Sequence, residues 1–243
     1  MFYLRVALSL AGFLAASIYG VAIAVLRRDK RCVAHDYAQM MVRLMRPPLG
    51  LKVEVEGREK LSQTRPCIYI ANHQSAYDVP VLAELYLPDT VVIGKKELAN
   101  IPFFGWLYRV TGNIMIDRKD TERAVGRLRE AEEAVRTRGV SIWIFPEGTR
   151  GKVAGELLPF KKGAFYMAIA TGIPLVPVVV APLRGLFNLE ERELHSGTVH
   201  VRVLDGIPTA GLTDADLASL IDTARTRMSN ALRDLAEKQT TQR

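Results

Sequence analysis

The pattern that most limits the possible fold is a series of short apolar segments that alternate with helical segments from Leu51 onwards. Continuous apolar strands separated by helices are typical of a largely parallel sheet that helices cover on both faces. The sequence therefore predicts an α/β fold with a mostly parallel sheet flanked by helices. The predicted strands are residues 51–55, 67–71, 91–94, 112–116, 141–145, 176–180 and 199–204. The predicted helices are residues 79–87, 121–138 and 214–238, the last with Thr213 as its N-cap.

The N-terminal part of the chain departs from this alternation. Residues 6–26 form a 21-residue stretch without a charged side chain, and about 20 helical residues are enough to cross the hydrocarbon core of a bilayer. A signal peptide is the alternative, but the apolar run is long and a basic cluster, residues 27–31, stands where a cleavage site should follow. An amphipathic second helix over residues 34–45 either lies in the membrane interface or docks on the α/β domain. Pro47 and Pro48 are expected to end it.

The distribution of charge also indicates a membrane surface. The net charge is +7, and residues 1–31 hold five basic residues against one acidic residue. This charge borders the apolar stretch, where it suits anionic lipid head groups and predicts a cytoplasmic location for the residues that follow. The chain is 49% hydrophobic, and no RNA-binding motif or base-reading helix is present in the sequence. We therefore predict a membrane-associating segment, residues 1–48, an α/β domain, residues 49–243, and no nucleic-acid partner.

The sequence contains no pattern typical of a metal or nucleotide site. Cys32 and Cys67 are the only cysteines, and they form neither a C-x-x-C pattern nor a disulfide framework. His35, His195 and His200 belong to no ligand-like cluster. There is no Walker P-loop and no dinucleotide fingerprint, so neither a metal nor a nucleotide cofactor is predicted.

Residues 72–78 hold the strongest candidate for catalysis. They follow the apolar run of residues 68–71, so they are predicted to form a turn between a buried strand and a helix. If His73 lies before the helix and Asp78 in its first turn, the carboxylate can hold one imidazole tautomer and stabilise the imidazolium that forms when His73 takes a proton. The alternative is that Asp78 simply caps the helix. Ser75 lacks a G-x-S-x-G context and is interpreted as a turn residue.

Three further stretches are predicted to lie at loops of the sheet, namely residues 112–118, 145–150 and 173–177, the last of which enters another buried strand. Ligands of open α/β sheets bind outside the carboxyl ends of the strands, so these loops are expected to converge. Thr149 and Arg150 are suited to gripping an oxyanion. Arg118 and Arg150 are alternatively surface salt-bridge partners. Together with four lysines near strand ends or loops, the arginines indicate a phosphate site; the lysines are Lys95, Lys96, Lys161 and Lys162.

These stretches resemble the four sequence blocks of the glycerolipid acyltransferase superfamily, and specifically of the 1-acyl-sn-glycerol-3-phosphate acyltransferases. The blocks occur in order as N-H-x-x-x-x-D at residues 72–78, G-x-I-x-I-D-R at 112–118, F-P-E-G-T-R at 145–150 and V-P-V at 176–178, with Pro174 before the last. The similarity covers residues from about Leu51 to Val180. The N-terminal helix pair is similar to the membrane-binding part of such enzymes.

The resemblance implies transfer of a fatty acyl group from acyl-CoA or acyl carrier protein to the free hydroxyl of lysophosphatidic acid, which gives phosphatidic acid without a cofactor. Glycerol-3-phosphate or a lyso-aminolipid is an alternative acceptor, and a non-catalytic module that binds anionic phospholipid is a second alternative. His73 is then the general base and Asp78 orients it. The implied substrate-binding residues are Arg118, Glu147, Gly148, Thr149, Arg150 and, more weakly, Lys95.

Overall fold

A seven-stranded sheet forms the centre of the fold in the computed structural model, which describes residues 1–117, 120–151, 153, 155–183, 185–188 and 191–241. Its strands lie in the order β1-β9-β6-β2-β5-β3-β4. In chain order the strands are β1 (Leu51–Glu56), β2 (Ile68–Ala71), β3 (Thr90–Lys95), β4 (Ile114–Ile116), β5 (Ser141–Ile144), β6 (Leu175–Val180) and β9 (Gly197–Val203). A separate two-stranded hairpin consists of β7 (Phe187–Asn188) and β8 (Glu193–Leu194).

Most of this sheet is parallel, which confirms the predicted fold class. Strand β2 pairs in parallel with both neighbours, so that Ile68 lies opposite Leu175 of β6 and Ile142 of β5. Strands β3 and β4 continue in the same direction. Strand β9 runs antiparallel to β6, and β1 pairs in parallel with β9, so both run opposite to the rest. The carboxyl ends of β2, β3, β4, β5 and β6 therefore share one edge of the sheet.

Helices cover both faces of the sheet. Successive strand residues point to opposite faces, and strands such as β2 are apolar and buried at every position, so both faces need cover. Ile68 and Ile70 of β2 pack with the helices of residues 121–138, 163–171 and 217–241 on one face, and Tyr69 and Ala71 pack with those of residues 33–49, 60–63 and 78–82 on the other. The helices are α1 (Phe2–Leu26), α2 (Val33–Leu49), α3 (Lys60–Gln63), α4 (Asp78–Leu82), α5 (Phe104–Val110), α6 (Thr121–Arg138), α7 (Gly163–Thr171) and α8 (Leu217–Thr241). Single 3-10 turns occur at Ala83–Leu85, Lys96–Asn100 and Asp214–Asp216.

The expectation that Pro47 and Pro48 end the second helix is wrong. Helix α2 continues through both prolines to Leu49 and ends at Gly50, which has a left-handed φ of 63°. The Gly50 N–H donates to the carbonyl oxygens of Arg46 and Pro47. The last carbonyl groups, at Pro48 and Leu49, accept from the guanidinium of Arg5 at 2.8 and 2.6 Å. Tertiary contacts thus satisfy a helix end that local sequence rules do not anticipate.

Helix α1 packs along α2 and leaves its opposite face exposed. The two backbones approach closely at Gly12, where a Cβ would lie 2.6 Å from the Leu44 carbonyl oxygen. On the outer face, Leu10, Leu14 and Ile18 are 61%, 46% and 48% exposed. Helix α1 has a mean hydropathy of 2.0 and is long and apolar enough to cross a membrane by length and composition. Its exposed apolar face is therefore suited to lipid contact.

One of the two positions predicted for the second helix, docking on the α/β domain, is found in the structure. Tyr37 and Met41 of α2 share one apolar cluster with Ala16 of α1 and with Ala83 and Tyr86, which follow α4. Helix α2 thus packs against α1 on one side and docks on the α/β domain on another. The division at residues 48 and 49 stays a prediction.

Candidate active site

The turn at residues 72–78 lies at the carboxyl edge of the sheet, between β2 and α4. Asp78 is the first residue of α4, and its Oδ2 lies 2.6 Å from Nδ1 of His73. The Asp78 side chain is completely buried and that of His73 is 11% exposed. The predicted His-Asp pair is therefore formed, with the carboxylate shielded from water and the imidazole at the surface of the turn.

Asp78 also holds the shape of the turn. Its Oδ2 accepts hydrogen bonds from the backbone N–H groups of Gln74 at 2.8 Å and Ser75 at 2.9 Å. All these donors precede the helix, so the carboxylate bends back over the turn instead of capping the helix that it begins. Within the described residues, Oδ1 of Asp78 is buried without a hydrogen-bond partner. The helix-cap alternative is thus wrong, since Tyr77 occupies the N-cap position without a side-chain cap.

The loop after β5 holds the backbone of His73 in place. Glu147 is only 3% exposed, and its carboxylate accepts from the N–H of His73 at 2.8 Å and from that of Leu158 at 3.0 Å. The Gly151 N–H donates to the His73 carbonyl oxygen at 2.8 Å, and the ring of Phe145 stacks on the imidazole at a centroid distance of 4.2 Å. Both backbone polar groups of His73 are thus held by the same loop.

Burial also affects the ionisation of Glu147. It raises the pKa of the carboxyl group above its ordinary value, because the charged form loses hydration. The two N–H groups that donate to the carboxylate favour the charged form and oppose this rise in pKa.

Asn72 and Gln74 tie the turn to the end of β6, a role that sequence reasoning missed. The Asn72 amide accepts from the Val180 N–H at 2.8 Å and donates to the Val180 carbonyl oxygen at 3.0 Å. Gln74 donates to the Ala181 carbonyl oxygen at 2.9 Å and accepts from the Leu183 N–H at 3.0 Å. The available signal was a polar Asn72 directly after a fully apolar strand, since a buried amide requires hydrogen-bond partners.

The 145–150 loop becomes exposed towards its end. Gly148 has a φ of 69°, and a Cβ there would lie 2.8 Å from Cε of Lys161, which packs over it. Thr149 and Arg150 are both exposed. Neither side chain has a hydrogen-bond or ion-pair partner among the described residues, so the Arg150 guanidinium is available to an anionic ligand beside the dyad.

The other predicted cationic residues lie further along the same edge. Lys95 is the exposed last residue of β3, two strands from β2. Lys96 forms an ion pair with Asp117 instead of standing free. Arg118, the predicted phosphate ligand of the second block, lies outside the described residues.

The prediction that the fourth block converges on this site is wrong. Residues 173–177 enter the buried strand β6, as predicted, but the Pro174 carbonyl oxygen accepts from the N–H of Ile68 at 2.9 Å, where β2 begins. The block therefore lies at the amino edge, opposite the dyad. Because β2 and β6 are parallel, it is the segment after Val180 that meets the turn.

The described residues contain no group of three His, Cys, Asp or Glu side chains placed to hold a metal ion. His195 is exposed, and His200 is buried with Nδ1 3.3 Å from Glu54. His35 bonds to the carbonyl oxygen of Tyr86. That the protein needs no cofactor stays a prediction.

Comparison with known proteins agrees with this fold and these blocks. The Acyltransferase family model matches residues 52–181. The chain is 40% identical over 208 residues to the 1-acyl-sn-glycerol-3-phosphate acyltransferase of Escherichia coli (strain K12), which covers 86% of this chain and 83% of the relative. It is 36% identical over 228 residues to 1-acyl-sn-glycerol-3-phosphate acyltransferase beta of Homo sapiens, covering 93% of this chain and 82% of the human protein.

A solved structure gives the same result. The 1-acyl-sn-glycerophosphate (LPA) acyltransferase PlsC from Thermotoga maritima superposes with a TM-score of 0.73 at 27% identity, over 96% of this chain and 98% of the other. The family model, the relatives matched over more than four fifths of their length and the shared architecture lead to one assignment. The chain belongs to the acyltransferase family, among the 1-acyl-sn-glycerol-3-phosphate acyltransferases.

Proposed function

We propose that this protein transfers a fatty acyl group from acyl-CoA or acyl carrier protein to the sn-2 hydroxyl of 1-acylglycerol-3-phosphate. The products are phosphatidic acid and the free thiol of the donor. The relatives are named for this activity, and the chain covers more than four fifths of each of them. As we propose it, the reaction needs no metal or cofactor, because the acyl group of a thioester is already activated for transfer.

The observation that carries the mechanism is the 2.6 Å contact between Nδ1 of His73 and Oδ2 of Asp78. A carboxylate at this position accepts from Nδ1–H and leaves the lone pair of the ring on Nε2. Nε2 takes the proton of the acceptor hydroxyl while its oxygen attacks the thioester carbonyl, and Asp78 stabilises the imidazolium. The tetrahedral intermediate then breaks its C–S bond, and the imidazolium returns the proton to the leaving thiolate.

Direct transfer, without a covalent acyl-enzyme, is supported by the surroundings of His73. The Ser75 hydroxyl oxygen accepts from the Tyr77 N–H at 3.2 Å and serves the turn. Cys67 is completely buried, and burial raises the pKa of its thiol to about 11, which leaves it inert. Neither side chain is suited to be the nucleophile.

The phosphate of the acceptor is proposed to bind at the 145–150 loop. Arg150 is exposed and unpaired among the described residues, and a guanidinium can bind phosphate through two parallel hydrogen bonds. Gly148 and Thr149 shape the loop, Glu147 holds it against His73, and Lys95 is a more distant cation at the same edge. The role of Arg118 rests on the sequence block alone.

The lipid acceptor is proposed to arrive from a bilayer that α1 contacts through its exposed apolar face. Three basic residues after α1, namely Arg27, Arg28 and Arg31, are exposed and suit anionic head groups. We place the catalytic domain on the cytoplasmic side, at the cell inner membrane or its equivalent, by the bias of basic residues towards that side.

The test is thiol release by the full-length protein in lipid nanodiscs, with acyl-CoA or acyl carrier protein as donor. The acceptors are 1-acylglycerol-3-phosphate, glycerol-3-phosphate and a lyso-aminolipid. We expect turnover with the first, and a loss of at least about 100-fold in His73→Ala. His195→Ala, in an exposed histidine outside the site, is the matched control. Undiminished turnover of a folded His73→Ala variant would overturn the mechanism, and absence of turnover with every acceptor would favour a lipid-binding module.

Intact-mass spectrometry tests the absence of an acyl-enzyme. The protein is incubated with the donor but without an acceptor, and we expect its mass to stay unchanged. An adduct with the mass of one acyl group, lost again on addition of the acceptor, would contradict direct transfer.

A further inference from the structure

The helix that carries Asp78 is short and depends on its neighbours. Helix α4 has five residues, so most of its N–H and C=O groups lie within one turn of an end and lack partners inside the helix. A helix of this length is not stable by itself in water. The position of the Asp78 carboxylate is therefore determined by the groups that hold α4 from outside.

Arg46 of α2 provides that support. Its Nε donates to the Pro80 carbonyl oxygen at 2.7 Å and its Nη2 donates to the Val81 carbonyl oxygen at 2.6 Å. Its Nη1 pairs with the carboxylate of Glu84, just after α4. The Arg46 side chain is 10% exposed. The planar guanidinium has five donors in a fixed fork, so it can hold two adjacent carbonyl groups and a carboxylate at once.

Other side chains of α2 hold the continuation of the same segment. His35 lies with Nδ1 2.6 Å from the Tyr86 carbonyl oxygen, and Gln39 donates to the Glu84 carbonyl oxygen at 3.5 Å. Among the described side-chain hydrogen bonds from α2 to this segment, those of Arg46 are the ones that reach α4 itself. The carbonyl group of Pro80, to which Arg46 donates, is only two residues along the chain from Asp78.

We propose that Arg46 is a positioning residue for the reaction proposed above: it caps the carbonyl end of α4 and thereby keeps Asp78 in place to orient His73. This inference rests on the proposed function. It also means that the second N-terminal helix contributes to the geometry of the active site, in addition to packing against α1. A displacement of about 1 Å in a catalytic group can lower the rate about 100-fold.

Arg58 is the matched control. Its Nη2 pairs with the other oxygen of the Glu84 carboxylate, from the exposed side, and its side chain is 52% exposed. Arg58 donates to no carbonyl group of α4 among its described contacts. Comparing Arg46→Met with Arg58→Met separates the support of α4 from the neutralisation of Glu84, because each variant leaves Glu84 one cationic partner.

The kinetic experiment measures kcat and both KM values in nanodiscs, at a temperature where each variant is folded. We expect Arg46→Met to lower kcat about 10- to 100-fold with both KM values within about twofold of wild type, because the dyad and not a binding contact is disturbed. Arg58→Met should stay within about twofold in all three constants. Arg46→Lys keeps a charge beside Glu84 without the fork, so it should fold and still lose most of kcat.

A second readout needs no activity. With 15N-histidine labelling, the proton on His73 Nδ1 should give a downfield resonance, assigned by its loss in His73→Ala. We expect this resonance to weaken or shift in Arg46→Met and Arg46→Lys but not in Arg58→Met. If kcat and the resonance stay as in Arg58→Met, Arg46 only stabilises the fold and the inference is wrong. If wild type shows no acyl transfer while the resonance responds to Arg46, the proposed function fails but the positioning role stands.

Discussion

The backbone N–H of His73 donates to Oε1 of Glu147 at 2.8 Å, across 74 residues of sequence. This bond joins the first and third sequence blocks through a main-chain donor, so the carboxylate of Glu147 positions the backbone of the proposed general base. The second oxygen, Oε2, accepts from Leu158 at 3.0 Å. Both oxygens of Glu147 therefore hold the loop, whereas Arg150 in the same block has no side-chain partner in the part of the chain that the structure describes.

Glu147→Gln tests this relationship through the pH dependence of stability. Burial raises the folded-state pKa of Glu147 above its unfolded value of about 4.3, so the protonated carboxyl group stabilises the fold below that pH, and this contribution is lost as pH rises through the folded-state pKa. We expect wild type to lose stability over this window relative to Glu147→Gln. Chemical denaturation at a series of pH values measures it, and parallel curves for the two proteins would contradict the assignment.

The Glu147→Gln variant should also be less active. Its amide has one acceptor oxygen in place of two, so either the His73 N–H or the Leu158 N–H loses its partner. An unsatisfied buried donor costs about 1–3 kcal/mol. We expect lower kcat with a folded far-ultraviolet spectrum.

Asp78→Asn separates charge from geometry in the dyad. The asparagine oxygen can replace Oδ2 and accept from His73, Gln74 and Ser75, while its NH2 takes the place of Oδ1, which has no partner among the described residues. We expect a loss in kcat of about 100- to 10,000-fold, because a neutral amide does not stabilise the imidazolium. Melting temperature should change little.

Asp78→Ala provides the contrast. It leaves the N–H groups of Gln74 and Ser75 and the imidazole without their acceptor, so both activity and melting temperature should fall. Equal melting temperatures for Asp78→Asn and Asp78→Ala would show that the carboxylate does not support the turn.

Arg150→Ala should weaken binding of the phosphate-bearing acceptor but not binding of the acyl donor. A charge-assisted hydrogen bond is worth about 1.5–3 kcal/mol, so KM for 1-acylglycerol-3-phosphate is expected to rise about 10- to 100-fold. The KM for the acyl thioester should stay within about twofold. Initial rates over a matrix of both substrates measure the two constants, and an equal rise in both would place Arg150 away from the acceptor phosphate.

Asn72→Asp tests the link between the turn and β6. A carboxylate can still accept from the Val180 N–H but cannot donate to the Val180 carbonyl oxygen, and it places a charge at a site that is only 4% exposed. We expect about 2–4 kcal/mol of lost stability, measured by urea denaturation. Ser62→Ala, at an exposed site outside this link, should change stability by less than about 0.5 kcal/mol.

The lipid contact proposed for the exposed apolar face of α1 can be tested by substitution. Replacing Leu14 and Ile18 together by glutamine removes apolar surface without disturbing the buried face, so vesicle binding should weaken by about tenfold or more while melting temperature is kept. Tyr166→Gln on α7, also an exposed site, is the control for a general effect of lost surface apolarity. Vesicle co-flotation measures binding; unchanged flotation of the double variant would place the lipid contact elsewhere.

Much of the fold follows from local pattern. Apolar runs predict every strand of the main sheet, and α6 has the predicted bounds of residues 121–138 because its amphipathic surface and its caps, Asp120 and Gly139, are both visible in the sequence. Thr213 forms the predicted cap, paired with Asp216 ahead of α8. Helix α7 was not predicted because its residues are almost all apolar and show no helical period, and α5 is too short to show one.

The sequence by itself determines that a histidine and a carboxylate five residues apart stand on a strand-to-helix turn, since that spacing and the preceding apolar run are local. Only the tertiary structure decides that Glu147 and Gly151 hold the His73 backbone, that Pro174 lies at the far edge, and that Arg46 supports α4. These contacts join residues that are distant in the chain. They depend on strand order, strand direction and helix docking, which no local period or spacing encodes.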